Sequence, residues 1–560
     1  MKPIKTLLAL LSVVLLISSC ANKNNKMEQE LRSFISRYDS IVQPLQKQAY
    51  LASWNASISG TPEDFKKSED LNIELTKIYA DKDDFAILKK IKDSGEIKDE
   101  LLSRQLTVLY NAYLGAQVDT AQLNAIIKMQ SAVEQKYSNF RANVNGKQLT
   151  DNQVEDILKT SINSKELQQA WEGHKAIGPV VADDVRKLAI MRNDLARQLG
   201  FNNFHEMSLK LSEQDPEEIS KLFDELDNLT RDSFKSLKDE IDTYLANRLN
   251  IKKEELMPWH YQNRFFQEAP AIYSVDLDKY YKGSNIEKLT TDYYSSLGLD
   301  ITGIIKNSDL YEKPGKNQHA YCTDIDNLGD VRVLCNIVPN YSWMNTMLHE
   351  FGHAVYDKYI DAQLPFVLRN PAHTFTTEAV AMFFGRMASN ADYLVKMGLT
   401  DTADARKVAD ESFKVLRLEQ LTFSRWAQVM YRFEKGLYEN PDQDLNKLWW
   451  DLVEKYQMIK RPADRNQPDW ATKIHIALYP CYYHNYQLGE LLASQFNHYL
   501  AAEVVKTDNM HLSYFGNKEA GKFFLEKVFA PGARYAWNDM IKNATGEELT
   551  PKYYADQFVK

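Results

Sequence analysis

His349-Glu350-Phe351-Gly352-His353 places two imidazoles and a carboxylate in an H-E-x-x-H pattern. The apolar periodicity around it reads as helix, and residues four apart on a helix share a face. His349 and His353 are then side by side and able to grip one zinc ion. Glu350 follows the first ligand and reaches a water at that ion as general base. Two imidazoles require a third protein ligand. In metzincins that ligand is a His six residues after the second, and Tyr359 stands at that position here. Glu378 lies 25 residues beyond His353, inside Phe375-Thr376-Thr377-Glu378-Ala379-Val380-Ala381-Met382-Phe383-Phe384. A carboxylate in so apolar a run is costly unless it is paired or coordinated. This places Glu378 ahead of Asp357 and Asp361 as the third ligand.

The elements that must position these groups read as mainly helical. Three-four spacing runs through Glu28–Val42, Asp183–Leu199 and Pro216–Leu249, and helix resumes from Ala372. Turns are marked at Gly60-Thr61-Pro62, Asn440-Pro441 and Lys460-Arg461-Pro462. β-prone pieces at Gln318–Cys322 and Val331–Ile337 precede the metal helix, where an edge strand could pair with a peptide. The expected architecture is mainly α: a two-lobed helical unit around a deep central cleft, with a very small β-sheet.

The 560 residues, 44% hydrophobic and 26% charged, can build a large core. The formal charge of -9 with no basic tract argues against nucleic acid as a partner. Lys2 and Lys5 precede an apolar run from Leu7 to Ile17, followed by Ser18-Ser19-Cys20. A charged region, a short apolar stretch and small residues before a cysteine resemble a bacterial lipoprotein leader. The expectation is a signal peptide over 1–19, lipid on Cys20, a polar tether over 20–30 and one peptidase domain over 31–560. The protein would be exported, periplasmic or outer-membrane anchored, and would touch the membrane through that lipid only. Cys322, Cys335 and Cys481 would then sit in an oxidising compartment. Cys322 and Cys335 are the better candidates for a bridge, with Cys481 left over.

Beyond these features the chain resembles the angiotensin-converting-enzyme family of zinc peptidyl-dipeptidases, which are gluzincins. The resemblance is carried in order by Ala52-Ser53-Trp54-Asn55, Tyr311-Glu312-Lys313-Pro314, His319-Ala320, HEFGH and Glu378. It continues through Met397-Gly398-Leu399-Thr400-Asp401, Trp449-Trp450, Lys455-Tyr456-Gln457, Lys473-Ile474-His475 and Tyr482-Tyr483-His484-Asn485-Tyr486. It implies one zinc ion on His349, His353 and Glu378, with Glu350 as general base. It implies His475 and Tyr486 as donors to the developing oxyanion. Lys473 and Tyr483 would hold the free C-terminal carboxylate of a small unfolded peptide. His319 and Ala320 would meet the peptide backbone. A further carboxylate-binding Gln is expected after Pro258-Trp259-His260, with Gln267 and Glu268 both in reach.

Two departures stand out. The family Asp that orients a ligand His is Met382 here, which leaves the acceptor open, with Asp357 as one possibility. The family Arg that binds an activating chloride is Asn485, so chloride activation is not carried across. HEFGH and the Tyr-Tyr-x-x-Tyr cluster also resemble thimet oligopeptidase and oligoendopeptidase F. The alternative function is therefore an oligoendopeptidase cutting internal bonds of short peptides.

Overall fold

The computed structural model describes residues 3–273 and 275–559, with side chains from Lys26 onward. The leader expected over 1–19 and the lipid site at Cys20 lie outside the residues whose side chains are described. Among the described residues no helix is long and apolar enough to cross a membrane.

The chain is mainly helical, as expected. Four helices open it: α1 (Pro3–Ser59), α2 (Pro62–Tyr79), α3 (Lys82–Ser94) and α4 (Glu100–Ala116). α2, α3 and α4 each begin at a side-chain cap, from Thr61, Asp81 and Asp99, which satisfies amide groups left free by the first turn. Leu31, Phe34, Leu88, Ile91, Leu102 and Tyr113 make a separate small core that docks on Leu364, Phe366, Val367, Leu368 and Ala533. The main core runs from Ile126 to Phe558. Long helices α5 (Gly178–Gln198) and α6 (Pro216–Leu249) belong to it. Asp215 caps α6, Pro216 begins it, and Asn250 in the left-handed conformation ends it.

Among the described residues the sheet content is as small as expected, four short strands in two antiparallel pairs. β1 (Ala142–Val144) pairs antiparallel with β2 (Lys147–Leu149). Asn145-Gly146 turns this hairpin with φ of 53° and 81°, a pairing that Asn-Gly favours. β3 (Tyr321–Asp324) pairs antiparallel with β4 (Val331–Leu334), close to the expected positions.

Beside this second hairpin stand the helices that carry the candidate site residues: α7 (Tyr341–Lys358), α8 (Thr374–Gly385), α9 (Thr402–Glu439), α10 (Ile474–Leu478) and α11 (His484–Tyr499). Asn340 caps α7 by accepting from the Trp343 amide, and His373 caps α8 through its ring. α7 buries Met347, Phe351 and Val355, while α8 buries Phe375, Ala379, Val380 and Phe383. α8 is thus packed between α7 and α11. Burial on this scale is the main force holding the frame together.

Candidate metal centre and peptide cleft

α7 sets His349 and His353 one turn apart, with ring centroids 5.0 Å from each other. α8 brings the Glu378 Oε2 atom to 3.7 Å from His349 Nε2 and 3.8 Å from His353 Nε2. The three donor atoms lie within 4.8 Å of one another, and the group could hold a metal ion. Tetrahedral ligands about 2.0–2.1 Å from zinc stand about 3.4 Å apart, so the donor set fits that ion with little movement.

Two glycines allow the approach. A methyl at Gly352 would meet Ala381 Cα at 2.7 Å, so α7 and α8 cross in near backbone contact. A methyl at Gly489 on α11 would meet Met382 Sδ at 3.3 Å and Glu378 Cβ at 3.4 Å. Met382 therefore packs against α11.

The acceptor for a ligand imidazole is Thr377. Its Oγ1 lies 2.7 Å from His353 Nδ1, which leaves Nε2 for the metal. Asp357 does not take this role. It lies one turn past His353 and meets Cys322 of β3, with the sulfur 3.8 Å from its carboxylate. The expected Cys322–Cys335 bridge is also absent, since Cys322, Cys335 and Cys481 are all free thiols. The strand register sets Cys322 opposite Val333 and Tyr321 opposite Leu334, so the two cysteines are not cross-strand partners.

Burial lowers His349 to about 4 and holds His353 well below its ordinary value, with His349 adding to the latter. Both rings are neutral near pH 7, as metal ligands must be. Burial raises Glu350 to about 8, with Glu378 contributing, and raises Glu378 to about 7, with Glu490 contributing. A dication among these groups would reverse the shift by favouring the carboxylates.

The triad and Glu350 line a cavity of about 430 Å³. Ala320 lines it too, while His319 is exposed on the turn into β3, its amide donating to Asn317 Oδ1 at 2.9 Å. A second cluster extends from the triad. Tyr486 is raised by burial and by the nearby Glu378 carboxylate. Its ring is 5.4 Å from Tyr483, which is 5.3 Å from His475. His475 Nδ1 is shielded from solvent with no hydrogen-bond partner among the described residues. Lys473 is buried beside the Tyr483, Phe265 and Trp426 rings, and donates to Gln267 Oε1 at 2.5 Å. Gln267, not Glu268, is the amide beside Lys473. Burial lowers Lys473 to about 7, with Arg264 adding to the effect.

Several supports escaped the sequence reading. Thr377 gives no signal except that it precedes Glu378. The turn carrying Tyr482 and Tyr483 is held by two buried ionisable side chains. Glu434 accepts from the Cys481 amide at 2.8 Å, where Cys481 has a φ of 57°, and Arg192 donates to Ala477 O at 2.6 Å. Asn485, the position expected to lack a chloride ligand, accepts from Gln214 at 2.8 Å.

The sequence pattern described as angiotensin-converting enzyme matches residues 25–261 and 266–553. Among curated relatives, the angiotensin-converting enzyme of Rattus norvegicus is 23% identical over 92% of this chain and 41% of its own length. That of Sus scrofa is 23% identical over 96% of this chain and 43% of its own length. That of Theromyzon tessulatum is 23% identical over 71% of this chain and 69% of its own length. The chain thus spans less than half the length of the rat and pig relatives it matches.

Proposed function

The chain belongs to the angiotensin-converting enzyme family, and on that premise we propose that it is a zinc-dependent peptidyl-dipeptidase, releasing dipeptides from the free C-terminus of small unfolded peptides. The observation that carries this reading is the buried Lys473–Gln267 pair beside Tyr483, apart from the metal triad. A buried ammonium next to an amide and a phenol suits a carboxylate.

His349, His353 and Glu378 would hold zinc, which when bound would supply Lewis acidity toward the carbonyl and lower the pKa of a water. Glu350 takes a proton from the attacking water and delivers it to the leaving amine as the C–N bond breaks. Tyr486 and His475 donate to the carbonyl oxygen as it gains charge, and losing one such donor typically costs ~100-fold to ~1000-fold in turnover. Lys473, Gln267 and Tyr483 hold the terminal carboxylate two residues beyond the cut. His319 and Ala320 guide the peptide backbone along β3. Export and a lipid on Cys20 complete the proposal.

Mass spectrometry of one decapeptide, offered with a free and with an amidated C-terminus, tests the reading. Sequential loss of dipeptides from the free form alone is expected. Internal cuts in both forms would make the protein an oligoendopeptidase and leave Lys473 with a packing role.

A further inference from the structure

The cavity beside the triad has a wall that this chemistry does not use. Asp324 of β3 and Asp357 of α7 line it together with Tyr50, Cys322 and Arg369. Asp324 accepts from the backbone amides of Asp326 and Asn327, both at 3.1 Å, and of Gly329 at 3.3 Å. Asp357 meets only the Cys322 thiol, and no cation pairs with it among the described residues. Burial raises Asp357 to about 7, with Asp324 adding, and raises Asp324 to about 6. The Tyr50 phenol is raised by burial and by both carboxylates. Glu350 faces the same space at 8% exposure, with no hydrogen-bond partner among the described residues. The space is therefore built to receive a ligand, and its acidic wall is close to the reacting atoms.

Charge and position identify what enters. A dication at the triad is offset by Glu378 and Glu350, which leaves Asp324 and Asp357 against Arg369. Arg369 is engaged elsewhere, since its Nε donates to Leu364 O at 2.8 Å and its field falls on Asp39. Neither Asp324 nor Asp357 is paired with a cation among the described residues, so the wall keeps an excess of acidic groups. Lys473, Gln267 and Tyr483 do not line this cavity, so the substrate's C-terminus lies away from it. Side chains entering it belong to residues N-terminal to the cut.

We propose that the Asp324–Asp357 wall is a specificity pocket for a basic side chain, lysine or arginine, on the substrate residues preceding the scissile bond. This rests on the peptidase reading. The test uses matched peptides with a free C-terminus carrying Lys, Arg, norleucine or Glu at either of the two positions before the cut. Affinity is read by calorimetry on zinc-loaded Glu350→Gln protein, and kcat/KM on the wild type. A hydrogen-bonded charge pair favours Lys and Arg over norleucine by roughly tenfold to a hundredfold, with Glu weakest. Asp357→Asn and Asp324→Asn should each shrink that ratio while the norleucine peptide is unaffected. Equal affinity for Lys and norleucine overturns the pocket, and this comparison needs only the wild-type wall if a variant fails to fold. Uniform cleavage of all peptides sinks the pocket and keeps the peptidase. A Lys preference in binding without any cleavage keeps the pocket and sinks the peptidase.

Discussion

Thr377 does the work that Met382 cannot. A ligand imidazole needs an acceptor on its second nitrogen to fix its tautomer, and Thr377 Oγ1 is at hydrogen-bond distance from His353. Thr377→Val should weaken zinc binding roughly tenfold to a hundredfold, with Thr377→Ser close to wild type, measured by competition with a chelator. Removing Glu378 as alanine should cut bound zinc far more, whereas Glu350→Gln keeps zinc and loses turnover, as elemental analysis and a peptide assay would show. Lys473 sets a pH limit. Its buried amine is a cation below about 7 and neutral above it, so the anchor for a carboxylate is lost as pH rises through that value. KM for a free-acid peptide should therefore rise above pH 7, while an amidated peptide shows no such rise. A flat KM for the free acid from pH 6 to 8.5 would remove Lys473 from substrate binding.

At the scale of elements, the metal centre depends on how closely α7 and α8 cross. Gly352→Ala would press a methyl onto the Ala381 backbone at 2.7 Å, and the helices must part. Overpacking of this kind costs about 1–3 kcal/mol, and here it also pulls Glu378 off the imidazoles. Gly489→Ala meets the flexible Met382 thioether at 3.3 Å and should be milder. Melting temperature and zinc content should fall together in the first variant and little in the second. The helices, the ligand triad and the β3–β4 hairpin were legible because each rests on local periodicity or spacing. The β1–β2 hairpin rests on Asn145-Gly146, a turn signal short enough to be masked by the helical pattern on either side. Thr377, the choice of Gln267 over Glu268 beside Lys473, and the unbridged cysteines were not legible. They depend on which face of one element meets another, and a sequence period does not specify that.

The molecule as a whole has two packed bodies of unequal size, and the cavity lies where they meet. α1 to α4 carry their own small core, touch the rest through the 364–368 segment and Ala533, and pack Trp54 of α1 against Ile325 and Leu334 of the β3–β4 hairpin. Polar ties add to this packing. Arg104 pairs with Glu213 and donates to Ala533 O, while Gln46 and Lys47 of α1 reach Asn327 and Asp326, both at 3.0 Å. Tyr50 of α1 lines the cavity that the triad faces. A layer with its own core can open without breaking the main one, because local openings follow such cooperative units. Backbone amides of α1 to α4 should then exchange hydrogen faster than those of α7 and α8. A bound peptide spanning the cavity should slow them, since it touches Tyr50 on one side and the triad on the other. Arg104→Ala should speed exchange in α3 and α4 and leave zinc content unchanged. Equal exchange in both bodies, unaffected by peptide, would mean that the cavity is filled from a fixed opening and that α1 to α4 serve only as its wall.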